Sequence, residues 1–180
     1  LDHLSDTRGR RVLETAAMAA GWGSGLPAGV GRGIGYARYK GRGAFCAVVA
    51  EVEAEASIAV RRLTVAVDVG RVVNPDGVRN QIQGGAVQSA SWTLRERVRF
   101  DRRRVTSVDW ETYPILRFSE VPAVDVTILD SDDRSLGAGE AAQGPTAAAI
   151  GNAVAAAVGV RVRDLPLTTE AVVAAIEQQG

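Results

Sequence analysis

One cysteine, one histidine and nine aromatic residues among 180 leave several chemistries without their side chains. A Cys/His zinc site, a disulfide framework and a cysteine-held iron–sulfur cluster each need several such residues in one chain. No apolar run approaches the roughly 20 residues of a membrane span. Charge of neither sign prevails, with 21 Lys+Arg against 21 Asp+Glu. That balance argues against a bulk nucleic-acid binder and against a polybasic membrane-surface protein. The start, Leu1-Asp2-His3-Leu4, has no basic region followed by an apolar one, so no signal peptide is visible. The first residue is not Met, which leads us to expect a piece of a longer protein and leaves the compartment open.

What is present is small and apolar. Twenty Gly and a 46% hydrophobic content rich in Ala and Val describe one tightly packed globular domain rather than a disordered chain. Val12, Leu13, Ala16, Ala17 and Ala20 fall at helical spacing, which predicts a helix over 10–20 capped by Ser5 or Thr7 and ended by Gly21. Gly-rich sequence from Gly21 to Gly35 reads as loop. Residues 34–40, 44–55 and 58–68 read as strands of an antiparallel meander, Glu51, Glu53 and Glu55 alternating with small apolar residues. After the turn Asn74-Pro75-Asp76-Gly77, a helix is expected over 78–94. Strands are expected over 96–100, 104–109 and 123–129, and an Ala-rich helix over 141–158. Thr168 or Thr169 caps a last helix over 170–178. The elements are mixed without strict alternation. The fold class expected is α+β, a mixed or antiparallel sheet packed with Ala-rich helices. Residues 1–30 form an N-terminal helix and Gly-rich loop, and residues 31–180 the main domain.

Gly31-Arg32-Gly33-Ile34-Gly35 resembles a dinucleotide fingerprint, but the sixth position is Tyr36 and a strand follows instead of a helix. A flexible strand entry explains it better. Cys46, between Phe45 and Ala47, reads as a small core residue. His3 stands alone near a terminus and finds no catalytic partners.

Two segments carry more. In Asp68 to Gly85 a strand ends at a turn and a helix opens with the amides Asn80, Gln81 and Gln83 before Gly84-Gly85. Amides donate and accept, which suits a heteroaromatic edge or a phosphate linker. Two helical glycines cost about 1 kcal/mol each relative to Ala, so either a close neighbour is expected at that backbone or the helix is poor. Capping and helix packing compete with ligand binding as the explanation. In Leu136 to Ile150, Glu140 lies among glycines and alanines ahead of a helix. A carboxylate enclosed by such residues would be desolvated and suited to taking a proton near neutral pH. An ordinary acid at a helix start is the competing reading.

Together these stretches resemble the molybdenum-cofactor-binding subunit of the xanthine dehydrogenase/aldehyde oxidase family, of the isoquinoline 1-oxidoreductase β-subunit type. The resemblance rests on Gly33-Ile-Gly-Tyr36, Asp68-Val-Gly-Arg-Val-Val-Asn-Pro75, Gln81-Ile-Gln-Gly-Gly85, Gly137-Ala-Gly-Glu140, Gly144-Pro-Thr-Ala-Ala-Ala-Ile150 and Gly159-Val-Arg-Val-Arg-Asp-Leu-Pro-Leu167. It implies a molybdenum hydroxylase that oxidises an aldehyde or N-heterocycle with water as the oxygen source. Glu140 would be its general base and Gln81 a contact to the pterin, with Gly84, Gly85 and Gly139 beside the cofactor. The implied cofactor is molybdopterin, the cytosine dinucleotide form among the options. No metal ligand from this chain is implied, because the dithiolene holds the molybdenum.

Iron–sulfur clusters would sit on a small partner subunit, since one Cys cannot hold them. This chain departs from the family pattern at Gln83, often Glu, and at Gln88-Ser-Ala. The Gly-rich segments that complete the cofactor site have no counterpart here. The resemblance therefore implies a C-terminal fragment that partners the remainder of the subunit, is inactive alone, and self-associates through its bare Ala-rich helix.

Overall fold

The computed structural model describes residues 3–41 and 43–178. Three strands, β1 (Val30–Tyr39), β2 (Ala44–Ala54) and β3 (Ile58–Asp68), form the antiparallel meander expected, with Tyr39 opposite Ala44 and Phe45 opposite Asp68. A fourth strand, β4 (Ala123–Ile128), pairs with β3 in parallel, Leu63 opposite Val124 and Val67 opposite Ile128. The sheet order is β1-β2-β3-β4, so the sheet is mixed. A parallel neighbour needs a long crossover. Residues 69–122 provide it and contain α2 (Pro75–Leu94).

Strand β2 runs through the middle and is apolar on both sides. Ala44, Cys46, Val48 and Ala50 join Val65, Val67, Ile82 and Ile150 in the larger core, under α2 and α3 (Gln143–Val158). Phe45, Ala47 and Val49 point the other way, to Val12 and Ala16 of α1 (Thr7–Ala19). Cys46 is a buried core thiol, and desolvation pushes its pKa up. A last helix, α4 (Thr169–Glu177), starts at Thr168, whose hydroxyl accepts from the Ala171 N–H at 3.2 Å.

Several boundaries differ from the sequence expectation, each for a physical reason. The cap of α1 is Asp6, not Ser5 or Thr7; its carboxylate accepts from the Arg8 and Gly9 N–H groups at 3.1 and 3.4 Å. Helix α2 opens at Pro75, because Asn74 caps it through the Gly77 N–H at 2.9 Å and proline suits a first helical position.

The Gly-rich stretch is not loop as far as Gly35. Gly31, Gly33 and Gly35 lie on one face of β1, where a Cβ would overlap the α3 backbone at Ala153, Ala149 and Pro145. Helix α3 rests directly on that glycine stripe, and the Asn152 amide donates to the Ile34 carbonyl at 2.8 Å. The two strands expected over 96–109 shrink to one bridge, Phe100 with Val105. Val98, Phe100 and Val105 of that hairpin stay half or more exposed, so its apolar residues are not buried against the sheet. Among the described residues no helix is long and apolar enough to cross a membrane.

Candidate functional site

The chain leaves β3 through Asp68, a fully buried carboxylate. Arg8 of α1 grips it with Nε and Nη2 at 2.8 and 2.6 Å, and the Gly70 N–H donates at 3.0 Å. The Arg8 guanidinium also lies 4.5 Å from the centre of the Phe45 ring. Burial pushes the Asp68 carboxyl up. The Arg8 and Gly70 hydrogen bonds and the Arg8 charge outweigh it and hold the group below the usual carboxylate range.

From this anchor the backbone is stitched to the loop after β4. The Arg71 N–H donates to Asp133 O at 2.8 Å and the Leu136 N–H to Val69 O at 2.9 Å. The loop is thereby delivered to the side of α2. There the two informative segments of the sequence meet. A Cβ on Gly85 would stand 3.2 Å from the Gly139 carbonyl oxygen, and a Cβ on Gly139 would stand 3.5 Å from Gln81 Oε1. The start of α3 is tied to the same helix. Ser89 Oγ donates to Gln143 O at 2.7 Å, and Gln143 Nε2 donates to Gln88 Oε1 at 2.9 Å.

Not every predicted residue stays with this group. Gln83 turns away and donates to the Val124 carbonyl at 3.2 Å, bracing α2 against β4. Gly85 has the close neighbour its helical position called for. Gly84 is exposed, and a Cβ on it would meet no atom of the described residues within 4 Å. Gln81 is exposed and borders a cleft of about 380 Å³ between α2 and the loop, with Asn74, Val78, Leu136 and Ala138 among its walls.

Glu140 corrects one expectation. Its alanine neighbours Ala141 and Ala142 pack into the core, and the carboxylate is left exposed instead of enclosed. Glu140 Oε2 accepts a hydrogen bond of 2.5 Å from the Tyr39 hydroxyl. That bond, to a carboxylate, pushes the Tyr39 phenol up. The Lys40 ammonium lies 5.4 Å from the centre of the same ring.

Sequence reasoning missed Tyr39, although a signal was there. Period-2 spacing from Gly31, Gly33 and Gly35 puts Tyr39 on the same face of β1. It is the first large side chain beyond the glycine stripe, level with the start of α3.

The fold recurs among solved oxidoreductases. Quinoline 2-oxidoreductase from Pseudomonas putida 86 superposes with a TM-score of 0.67 at 26% identity, over 75% of this chain and 18% of that one. An aldehyde oxidoreductase from Desulfovibrio desulfuricans ATCC 27774 gives 0.65 at 26% identity, over 73% of this chain and 15% of that one. The sequence agrees. A family model of the molybdopterin cofactor-binding domain matches residues 15–122, more than half of the chain, and the chain belongs to that family.

A nicotinate dehydrogenase polypeptide of Pseudomonas putida KT2440 is 41% identical over the whole of this chain. The beta subunit of isoquinoline 1-oxidoreductase from Brevundimonas diminuta is 35% identical over 93% of it. The chain spans only 17% and 22% of those two relatives. Gln81, Gly84 and Gly85 lie inside the family match. Gly139 and Glu140 lie beyond it, within the stretch shared with the first relative.

Proposed function

We propose that this chain is the C-terminal part of a molybdenum hydroxylase subunit and supplies one wall of its cofactor site. Residues 31–180 would carry that wall, and α1, within the N-terminal segment 1–30, backs the sheet from its other face. The substrate class is an aldehyde or an N-heterocycle, in keeping with the nicotinate, isoquinoline, quinoline and aldehyde enzymes it is similar to. Water would supply the oxygen of the product. One observation carries the reading: Gly139-Glu140 is held against Gly85, one helical turn from Gln81, on a side of α2 that Gly84 leaves open.

The donor set suits the cofactor. Gln81 offers an exposed amide able to donate and accept at a pterin edge. Gly84, Gly85 and Gly139 keep side chains out of its way. Glu140 offers an exposed carboxylate with no ionic partner among the described residues, and it would take a proton from the attacking oxygen. The bound cofactor supplies the two-electron redox chemistry. The rest of the wall and the burial around Glu140 would come from the remainder of the subunit. Electrons would leave through iron–sulfur clusters on a small partner subunit, because the single Cys46 here is buried in the core. Nucleotide released from the loaded enzyme would distinguish the cytosine dinucleotide form of the cofactor from plain molybdopterin.

The test uses the full-length enzyme with its partner subunit. Glu140→Gln keeps size and loses basicity, so molybdenum content should hold while rate per molybdenum falls about 10²–10⁴-fold. Gln81→Ala should lower molybdenum content more than rate per molybdenum. A Glu140→Gln enzyme with near wild-type rate per molybdenum would leave Glu140 as a helix-start acid in a binding or assembly domain.

A further inference from the structure

We infer that Tyr39 is a positioning residue for Glu140, its hydroxyl fixing one carboxylate oxygen so that the other is presented to the reaction. The inference rests on the proposed role of Glu140 as base. Glu140 stands on a loop of glycine and alanine, exposed, with no side chain of its own segment to hold it. A free glutamate there would spread over many rotamers, and each competes with the productive one.

Tyr39 removes that freedom from a rigid place. It is the last residue of β1, paired with Ala44 of β2, and its ring packs at the edge of the larger core. Its hydroxyl reaches Glu140 Oε2 at 2.5 Å across 101 residues of sequence. Among the described residues no hydrogen bond is made to Oε1. One oxygen is thus spent on orientation and the other keeps its lone pairs. A charged hydrogen bond of this kind is short and directional, which a base needs when proton transfer depends on sub-ångström placement. Other features of the surroundings are too weak to replace it. Lys40 lies over the Tyr39 ring, and Gln81 makes no hydrogen bond to Glu140 among the described residues.

The test compares Tyr39→Phe, Glu140→Gln and the double variant in the full-length enzyme. Tyr39→Phe keeps the ring in the core and removes only the hydroxyl. Molybdenum content should stay at the wild-type level and KM within about twofold, while kcat per molybdenum falls about 10–100-fold. In the Glu140→Gln background, Tyr39→Phe should cost nothing further, as two members of one device behave.

A second readout needs no turnover: 3-fluorotyrosine placed at position 39 of the unloaded subunit and titrated by ¹⁹F NMR. With Glu140 present its phenol should titrate at higher pH than in Glu140→Gln, because the carboxylate it bonds to disfavours the phenolate. Identical ¹⁹F titrations in the two backgrounds would overturn the contact, even if Tyr39→Phe fails to fold. Loss of molybdenum with unchanged kcat per molybdenum would make Tyr39 structural and overturn the inference. If Glu140→Gln is impaired and Tyr39→Phe is not, this inference alone falls; if Glu140→Gln is unimpaired, the proposed base falls and Tyr39's role with it.

Discussion

Gly85 of α2 and Gly139 of the loop before α3 meet backbone against backbone, with room at Gly85 for a Cβ only 3.2 Å from the Gly139 carbonyl oxygen. Its neighbour Gly84 faces open space. The two glycines, adjacent in sequence, should therefore respond oppositely. Gly84→Ala should stabilise the 180-residue chain by about 0.5–1 kcal/mol, the ordinary gain of alanine over glycine inside a helix. Gly85→Val should destabilise it by about 1–3 kcal/mol, because the added methyls must push the Gly139-Glu140 loop outward. Urea unfolding of both variants checks the signs. In the full-length enzyme both should lower molybdenum content. A Gly84→Ala enzyme that loads fully would show that the open side of α2 is not where the cofactor lies.

Legibility in the sequence differs by element. The meander was legible, because alternation and Gly turns report on strands locally. The Ala-rich helix was legible from composition and from Gly159, which closes α3 in the left-handed region at φ 76°. The glycine stripe on β1 was not. Gly-x-Gly-x-Gly carries no hydrophobic period, and its meaning lies in a helix 110 or more residues away that presses on it. The expected strands over 96–109 failed for the converse reason. Their local pattern carries apolar residues, but Val98, Phe100 and Val105 stay half or more exposed, and the local sequence does not tell that nothing packs on them. At the candidate site, Gln81 and Glu140 are singled out by the resemblance to a family, and the approach of Gly139 to Gly85 and Gln81 was not legible. The Tyr39 contact depends on where β1 ends relative to α3, and the exposure of Glu140 on Ala141 and Ala142 turning inward. Neither can be read without the packing.

Arg8 and Asp68 couple α1 to the exit of β3, and their pairing sets a pH dependence. The folded Asp68 carboxyl lies below its ordinary value of about 3.9. Its contribution to stability is present above that ordinary value and is lost as pH falls through the folded one. Arg8→Met removes the partner and leaves the buried carboxylate under the desolvation that raises its pKa. The cost should be about 3–5 kcal/mol near neutral pH. It should shrink as pH falls towards and below 3.9, where a protonated Asp68 needs no partner. Asp68→Asn should cost less, because Arg8 Nη1 keeps Asp133 at 3.2 Å. Denaturant unfolding at a series of pH values checks this. A deficit for Arg8→Met that stays constant from pH 7 to pH 3 would show that the pair does not carry the dependence.

The last expectation concerns what the chain does with its bare surface. Sequence placed that surface on the Ala-rich helix, but β1 and α2 cover much of α3, burying Ala149, Ile150, Ala153 and Val154. Many of the large exposed apolar side chains fall instead in the crossover after α2. Phe118 is 98% exposed, Phe100 77%, Trp110 76% and Val108 74%. Apolar groups so far out of cover drive association when nothing else is present to bury them. The 180-residue chain should therefore self-associate with rising concentration, as followed by light scattering.

The same stretch carries Arg97, Arg99, Arg102 and Arg104, so an electrostatic cause must be separated from an apolar one. Association driven by these arginines should dissolve in about 0.5 M salt, where the Debye length falls to a few ångströms. Association through the aromatic side chains should persist there. Replacing Phe100, Trp110 and Phe118 together by serine should abolish it, while unfolding free energy stays within about 0.5 kcal/mol, since these positions touch no core. A wild-type chain that remains monomeric at high concentration, or an association unmoved by the triple substitution, would mean that this crossover is not an interaction surface.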